Sequence, residues 1–216
     1  MTARRVVSSV ENINSLPDEV LCHILSFLPT KDAVRTSFVS RRWRYLYTLV
    51  SNLDFELRPD YGDDSSVNQL MNFVDRVLLF HSRPSVVRFR LKCIHYNEGI
   101  GTPQFDTLRI DGWIRAVMWR SIQELELDIT ESDINLEFLP ASLFACETLV
   151  VLKFCLVSGY DSSDFPSKVS IPTVKRLIIR NMRYEGVNPI ITHIVINAPR
   201  LVYFSYSESE LHHLVL

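Results

Sequence analysis

A six-residue phrase, apolar-x-x-apolar-x-apolar, returns five times in the later part of this chain and limits its architecture more than any other feature. It reads Val86, Phe89, Leu91; Ile122, Leu125, Leu127; Leu149, Leu152, Phe154; Val174, Leu177, Ile179; and Leu201, Phe204, Tyr206. The middle residues stand at 89, 125, 152, 177 and 204, so the steps are 36, 27, 25 and 27 residues. Periods in this range belong to arrays in which each turn adds a short parallel strand and a returning segment, and no turn can hide its apolar face without its neighbours. The returns are helical or irregular. The first carries a helical stripe, Ile110, Trp113, Ile114, Val117 and Met118, and the second carries Leu139, Leu143 and Phe144.

Two irregularities stand out towards the C-terminus. Ile194, with Ile191 and Ile196, starts an apolar phrase only 17 residues after Leu177, which predicts a shortened or missing repeat. Leu211, Leu214 and Leu216 form another phrase at the end of the sequence, in place of the polar cap that a solenoid normally carries. The expectation is an incomplete C-terminal part, frayed or covered by a partner, as in a shortened version of a longer receptor.

The N-terminal part obeys a different period. Leu16, Val20, Leu21, Ile24, Leu25 and Leu28 recur at three- and four-residue steps along one side of a helix, with Asp18, Glu19, His23 and Ser26 mostly on the other. Pro17 suits a first helical turn, and Asp18 and Glu19 suit its positive end. Pro29 ends the run, Thr30 is placed to cap a second helix through Val39, and Ser40 to cap a third. Such a small bundle holds more aliphatic side chains than it can bury, so part of its surface is expected to be covered by another protein.

Residues 1–12 are polar and expected to be disordered; 13–57 form the helical module, which leaves through the alternating stretch NLDFEL; 58–66 is a turn-rich junction; and 67–216 form the repeat domain. A helix from Ser66 to about His81 carries the stripe Val67, Leu70, Met71, Val74, Val77 and Leu78.

Composition narrows the function. A net charge of -2 argues against a general polyanion binder. No apolar run reaches the roughly 20 residues of a membrane span, and nothing before Leu16 has the apolar core of a signal peptide. A cytoplasmic or nuclear chain is expected, without membrane contact. Four cysteines, Cys22, Cys93, Cys146 and Cys155, form no CxxC pair; Cys22 and Cys155 lie in apolar runs and read as small core residues. The scattered histidines suggest no metal, and no nucleophile elbow, phosphate loop or zinc-protease motif is present, so no cofactor and no enzymatic activity are expected. Arg41, Arg42 and Arg44 interleave with Trp43, Tyr45 and Tyr47, a pattern that can grip single strands of nucleic acid. The plainer reading is a helix that buries Trp43, Leu46 and Tyr47 and turns its arginines to solvent or to an acidic partner; no nucleic acid is expected.

The segment LPDEVLCHILSFLPTKDAVRTSFVSRRWRYLY, Leu16 to Tyr47, resembles an F-box, and the following periods resemble leucine-rich repeats. FVDRVLLFH, DGWIRAVMWRSIQELELDI, LPASLFACETLVVLKF and INAPRLVYFSYS fall where plant F-box proteins with such repeats, often followed by an FBD segment, carry similar phrases. The fold class implied is α+β, a three-helix F-box followed by a short leucine-rich-repeat solenoid. The resemblance implies a substrate-recognition subunit of an SCF-type ubiquitin ligase, docking a Skp-type adaptor and through it cullin and RING subunits. The residues implied in adaptor binding are Leu16, Pro17, Val20, Leu21, Ile24, Leu25, Leu28, Pro29, Val34 and Val39, with Trp43 bracing the third helix. The repeats would hold a target protein that the sequence does not identify. Two alternatives share the architecture: an adaptor-binding protein that delivers no target, and a receptor that senses a small molecule.

Overall fold

Each apolar phrase becomes the start of a parallel strand, and the polar residues between its apolar positions turn to the opposite face. The computed structural model describes residues 13–57, 64–94, 106–130, 143, 146–158, 168–184 and 195–211. The expected disorder of 1–12, most of the junction, Leu139, Phe144 and residues 212–216 lie outside the described residues.

Helix α1 (Asp18–Leu25) begins directly after Pro17, which stands just outside the first turn rather than in it. Leu28 lies beyond its end. Helix α2 (Thr30–Arg35) follows Pro29 and continues as a 3-10 turn over Thr36–Phe38. Thr30 does not cap it: the buried hydroxyl accepts the Asp54 N–H at 2.7 Å, tying the helix to the sheet. The third helix is a 3-10 segment, Trp43–Leu49, and the buried Ser40 hydroxyl expected to cap it has no partner among the described residues.

The chain then runs through β1 (Asn52–Leu57), α3 (Asp64–Phe80), β2 (Arg88–Ile94), α4 (Thr107–Met118), β3 (Glu124–Thr130), β4 (Val151–Ser158), β5 (Lys168–Ser170), β6 (Arg176–Tyr184), β7 (Val195–Asn197) and β8 (Tyr203–Leu211). Six strands form one parallel sheet in the order β1-β2-β3-β4-β6-β8. Leu53, Phe89, Leu125, Leu152, Leu177 and Phe204 stand opposite one another across the whole sheet. The middle residues of the phrases are thus one continuous column. Strand β1, grouped by sequence with the helices, is the edge of this sheet, and Val50, Leu53 and Phe55 repeat the phrase one step of 36 residues (53 to 89) earlier.

A recurring hydrogen bond sets this register. The carbonyls of Ser51, Val87, Gln123, Val150 and Lys175, each two residues before the column, accept N–H groups from the next turn at 2.8 to 3.3 Å. Because a one-residue slip would expose every apolar side chain, the alternation and the ladder fix the same alignment.

Helices α3 and α4 cover the inner face of the sheet. Val67, Leu70, Met71, Val74, Val77 and Leu78 of α3 are buried, as are Ile110, Trp113, Ile114 and Val117 of α4. Asp106 caps α4 by accepting the N–H groups of Leu108 and Arg109 at 3.0 and 3.3 Å. Past its end Ser121 takes a left-handed conformation (φ 57°) and donates its N–H to Met118 O, where glycine is the usual residue. Leu143 of the second return is buried. All these residues join one hydrophobic core with Leu21, Leu25 and Trp43 of the N-terminal helices.

The expected shortened repeat is corrected by β7. The strand after Ile194 lies outside the main sheet and pairs in parallel with β5 in a second, two-stranded sheet. The step from Leu177 to Phe204 is a full turn, and residues 195–197 belong to its return. Leu211 ends β8 opposite Tyr184.

Candidate docking surfaces

The apolar ridge of α1 divides between inside and outside. At 100° per residue the two neighbouring columns 20/24 and 21/25 cannot both face one small core. Leu21 and Leu25 turn inward and are 0% and 1% exposed. Cys22 is buried beside them, with its Sγ–H towards Leu46 O at 3.6 Å, and burial raises its pKa. Val20, Ile24 and Leu28 turn outward, Ile24 being 37% exposed.

Of the residues expected to meet an adaptor, Pro17, Val20, Ile24, Leu28, Pro29 and Val39 lie on the surface. Leu16 and Val34 are half-buried against the core. The expectation of adaptor contact is corrected for Leu21 and Leu25, whose side chains are buried inside the chain, and Trp43 is buried too, so none of the three offers a surface. Trp43 does brace the third helix: its indole N–H donates to Asn14 Oδ1 at 2.6 Å.

Two exposed aromatics were missed by the sequence reading. Phe27 is 74% exposed and Phe38 88%. Phe27 follows Ile24 by three residues, so helical spacing could have found it; its ring also meets His23 edge-on at 4.9 Å. Phe38 adjoins the expected Val39 and follows Val34 by four residues, so the same spacing could have found it.

Arg42 holds the edge of this surface in place. Its guanidinium donates to the carbonyls of Asn14 and Leu16 and pairs with Asp18 at 2.6 Å. One member of the basic cluster is therefore an internal clamp, and Asp18 serves that clamp besides the helix dipole.

The outer face of the large sheet is polar and electrostatically ordered. Acids of β1 and β3 alternate with bases of β2 and β4. Arg90 reaches Asp54 at 2.9 Å and Glu126 at 3.2 Å. Lys153 reaches Glu124 at 2.7 Å and Glu126 at 3.3 Å, and Arg88 also meets Glu126 at 3.1 Å. Burial alone would raise the Glu126 pKa, but Lys153, Arg88 and Arg90 outweigh it and hold the carboxyl below its ordinary 4.5.

Beyond β3 the composition changes. Cys155, expected in the core, sits on this outer face between Asp128 and Arg180, which pair at 3.2 Å. Burial and Asp128 push its thiol up to about 12, so it stays protonated and unreactive at neutral pH. Ile178 lines a shallow groove with Cys155, Lys153 and Arg180. Arg176 lies over the Tyr203 ring at 4.9 Å. Among the described residues no His, Cys, Asp and Glu gather into a group able to hold a metal, and no helix is long and apolar enough to cross a membrane.

Comparison with known proteins matches the N-terminal helices and the sheet from β3 onward to recognised modules. Residues 13–46 match the F-box domain model, and residues 110–214 match the model described as FBD-associated F-box protein At5g56370, LRR repeats. The chain is 39% identical to F-box/LRR-repeat protein At3g59200 of Arabidopsis thaliana, over 79% of this chain and 32% of the relative. It is 37% identical to F-box/LRR-repeat protein At4g14103 of the same plant, over 88% and 47%. To F-box/FBD/LRR-repeat protein At5g56420 it is 34% identical, over 87% and 42%. It spans 32% to 47% of the length of these relatives.

Proposed function

We propose, from the premise that this chain belongs to the plant F-box/leucine-rich-repeat family, that it is a substrate-recognition subunit of an SCF-type ubiquitin ligase. The exposed column of α1 docks a Skp-type adaptor and through it the cullin and RING subunits, while the repeat sheet holds a target protein. The chain contributes no reacting group of its own. It raises the effective concentration of target lysines near a ubiquitin-charged enzyme.

One observation carries this reading: within the segment that matches the F-box, Val20, Ile24, Phe27, Leu28, Phe38 and Val39 remain exposed beside a core that is already filled. An exposed set of large apolar side chains on a helix supplies anchors for a groove in a partner. Full-length chain is expected to co-purify with a Skp-type adaptor, and Ile24→Asp to weaken that binding by about 30-fold or more, the ~2 kcal/mol of an interface hot spot. Its stability should stay within ~0.5 kcal/mol of the parent, as for surface substitutions generally. Unchanged adaptor capture by Ile24→Asp and Phe27→Asp alike would overturn the proposal.

A further inference from the structure

The charges on the outer sheet face are unequally shared. On β1 to β3 acids outnumber bases, Asp54, Glu56, Glu124, Glu126 and Asp128 against Arg88, Arg90 and Lys92, and both arginines are already paired, Arg88 with Glu124 and Glu126 and Arg90 with Asp54, Glu56 and Glu126. On the corresponding positions of β4, β6 and β8, from Val151 to Cys155, Arg176 to Arg180 and Tyr203 to Ser207, the bases are Lys153, Arg176 and Arg180, and no acid occurs. Lys153 is consumed by Glu124 and Glu126. Arg180 keeps 53% of its side chain in solvent while it leans on Asp128. Arg176 is exposed and meets no acid among the described residues; its guanidinium carbon lies 4.9 Å from the centre of the Tyr203 ring, which accepts none of its N–H groups in a carboxylate's place. Between the two arginines Ile178 offers an apolar floor, half-buried and bordered by Cys155.

We infer that this β4–β8 half of the sheet face is the dock for an acidic segment of a target protein, its carboxylates meeting Arg176 and Arg180 and an aliphatic or aromatic side chain resting on Ile178 between them. The inference rests on the reading that the sheet holds a target and names the chemistry of that target. Charge complementarity selects the occupant. A basic segment would be repelled here, and on β1 to β3 an incoming charge would have to displace existing pairs. Arg presents its donors as a planar fork that fits a carboxylate in two bonds, and the Tyr203 ring lies beside that fork at 4.9 Å.

The test uses the full chain, immobilised, and a random twelve-residue peptide display library as the probe. Selected peptides are expected to combine Asp or Glu with one aliphatic or aromatic residue. A soluble peptide of that kind should bind at least tenfold more weakly to Arg176→Glu, less than twofold more weakly to Lys92→Glu, and more weakly as salt rises. Arg176→Gln, which keeps the length and removes the charge, should lose affinity in the same direction and serves if Arg176→Glu does not fold. Neutral or basic selected peptides would overturn the inference, as would equal losses at Lys92 and Arg176. Tenfold tighter binding once phosphoserine replaces the acids would overturn the carboxylate assignment in favour of phosphate. Adaptor capture, read in parallel, should be untouched by Arg176→Glu; its absence from the parent chain would sink the ligase reading while leaving the peptide result to stand or fall alone.

Discussion

The N-terminal helices and the repeat sheet dispose of their apolar residues in opposite ways. Each turn of the sheet from β1 to β6 buries its phrase against neighbouring turns, and the outer face is mostly charged or polar, with Val151 and Ile178 as apolar exceptions. The helical module has no repeating neighbour, so it buries one column of α1 and leaves the next in water. Periodicity that is satisfied within the chain marks structure; periodicity that overruns the available core marks a surface with something to bind.

That contrast can be broken most directly at adjacent positions of α1. Leu25→Asp places a carboxylate in the core and should cost ~4–5 kcal/mol, lowering the melting temperature by ~10 °C or more, whereas Ile24→Asp should leave it nearly unchanged. Scanning calorimetry of the pair decides. Equal losses would mean that both columns are core, and the distinction drawn between the two regions would fail.

The sheet side is sharpened at Glu126, the acid that three cations share. Glu126→Ala should cost ~2–3 kcal/mol in denaturant titration, less than a fully buried pair because Arg88 is 38% exposed and Lys153 24%. Since the folded pKa lies below the ordinary 4.5, the parent binds fewer protons folded than unfolded in that range. Its stability is therefore present above pH 4.5 and lost as pH falls through the folded value, and the variant should show a flatter acid limb.

A smaller effect belongs where the two regions meet. Buried His81 receives its anchor from Val50 O, which lies 2.9 Å from Nε2. Burial holds its pKa below the ordinary 6.5 against the pull of that carbonyl, and the charge of Arg120 adds to the depression. The folded state thus favours neutral imidazole, and stability should fall as pH drops below 6.5. Urea midpoints at pH 7.5 and 5.5 should differ in the parent and converge in His81→Gln. Smallest of all, Ser121→Gly should raise stability by ~0.5 kcal/mol, the relief of its left-handed backbone less the added freedom of the unfolded glycine, as read from the same urea midpoints.

The parallel sheet was legible because apolar spacing and strand pairing report the same fact: residues counted at 89, 125, 152, 177 and 204 are register partners. Two things escaped that count. Val50, Leu53 and Phe55 obey the same phrase, but their place directly after the helices made them look like the exit of that module. Cys155 lies in an apolar run, and only the pleat shows that it shares a face with Lys153 rather than with Leu152 and Phe154. For the docking surface, spacing identified the ridge but not its division, because two neighbouring helical columns are equally apolar and only the size of the core decides which one it takes.

Strand β1 turns this division into a measure of length. It follows the N-terminal helices without a break and belongs to the same hydrogen-bonded sheet as β8. With strands about 4.8 Å apart, β8 stands roughly 24 Å from β1, and each strand turns some 20–25° from the last. Under the proposed function, a cargo seated farther along the array would be carried outward and rotated by a fixed increment per turn, so the number of repeats between helix and cargo would set which of its lysines come within range.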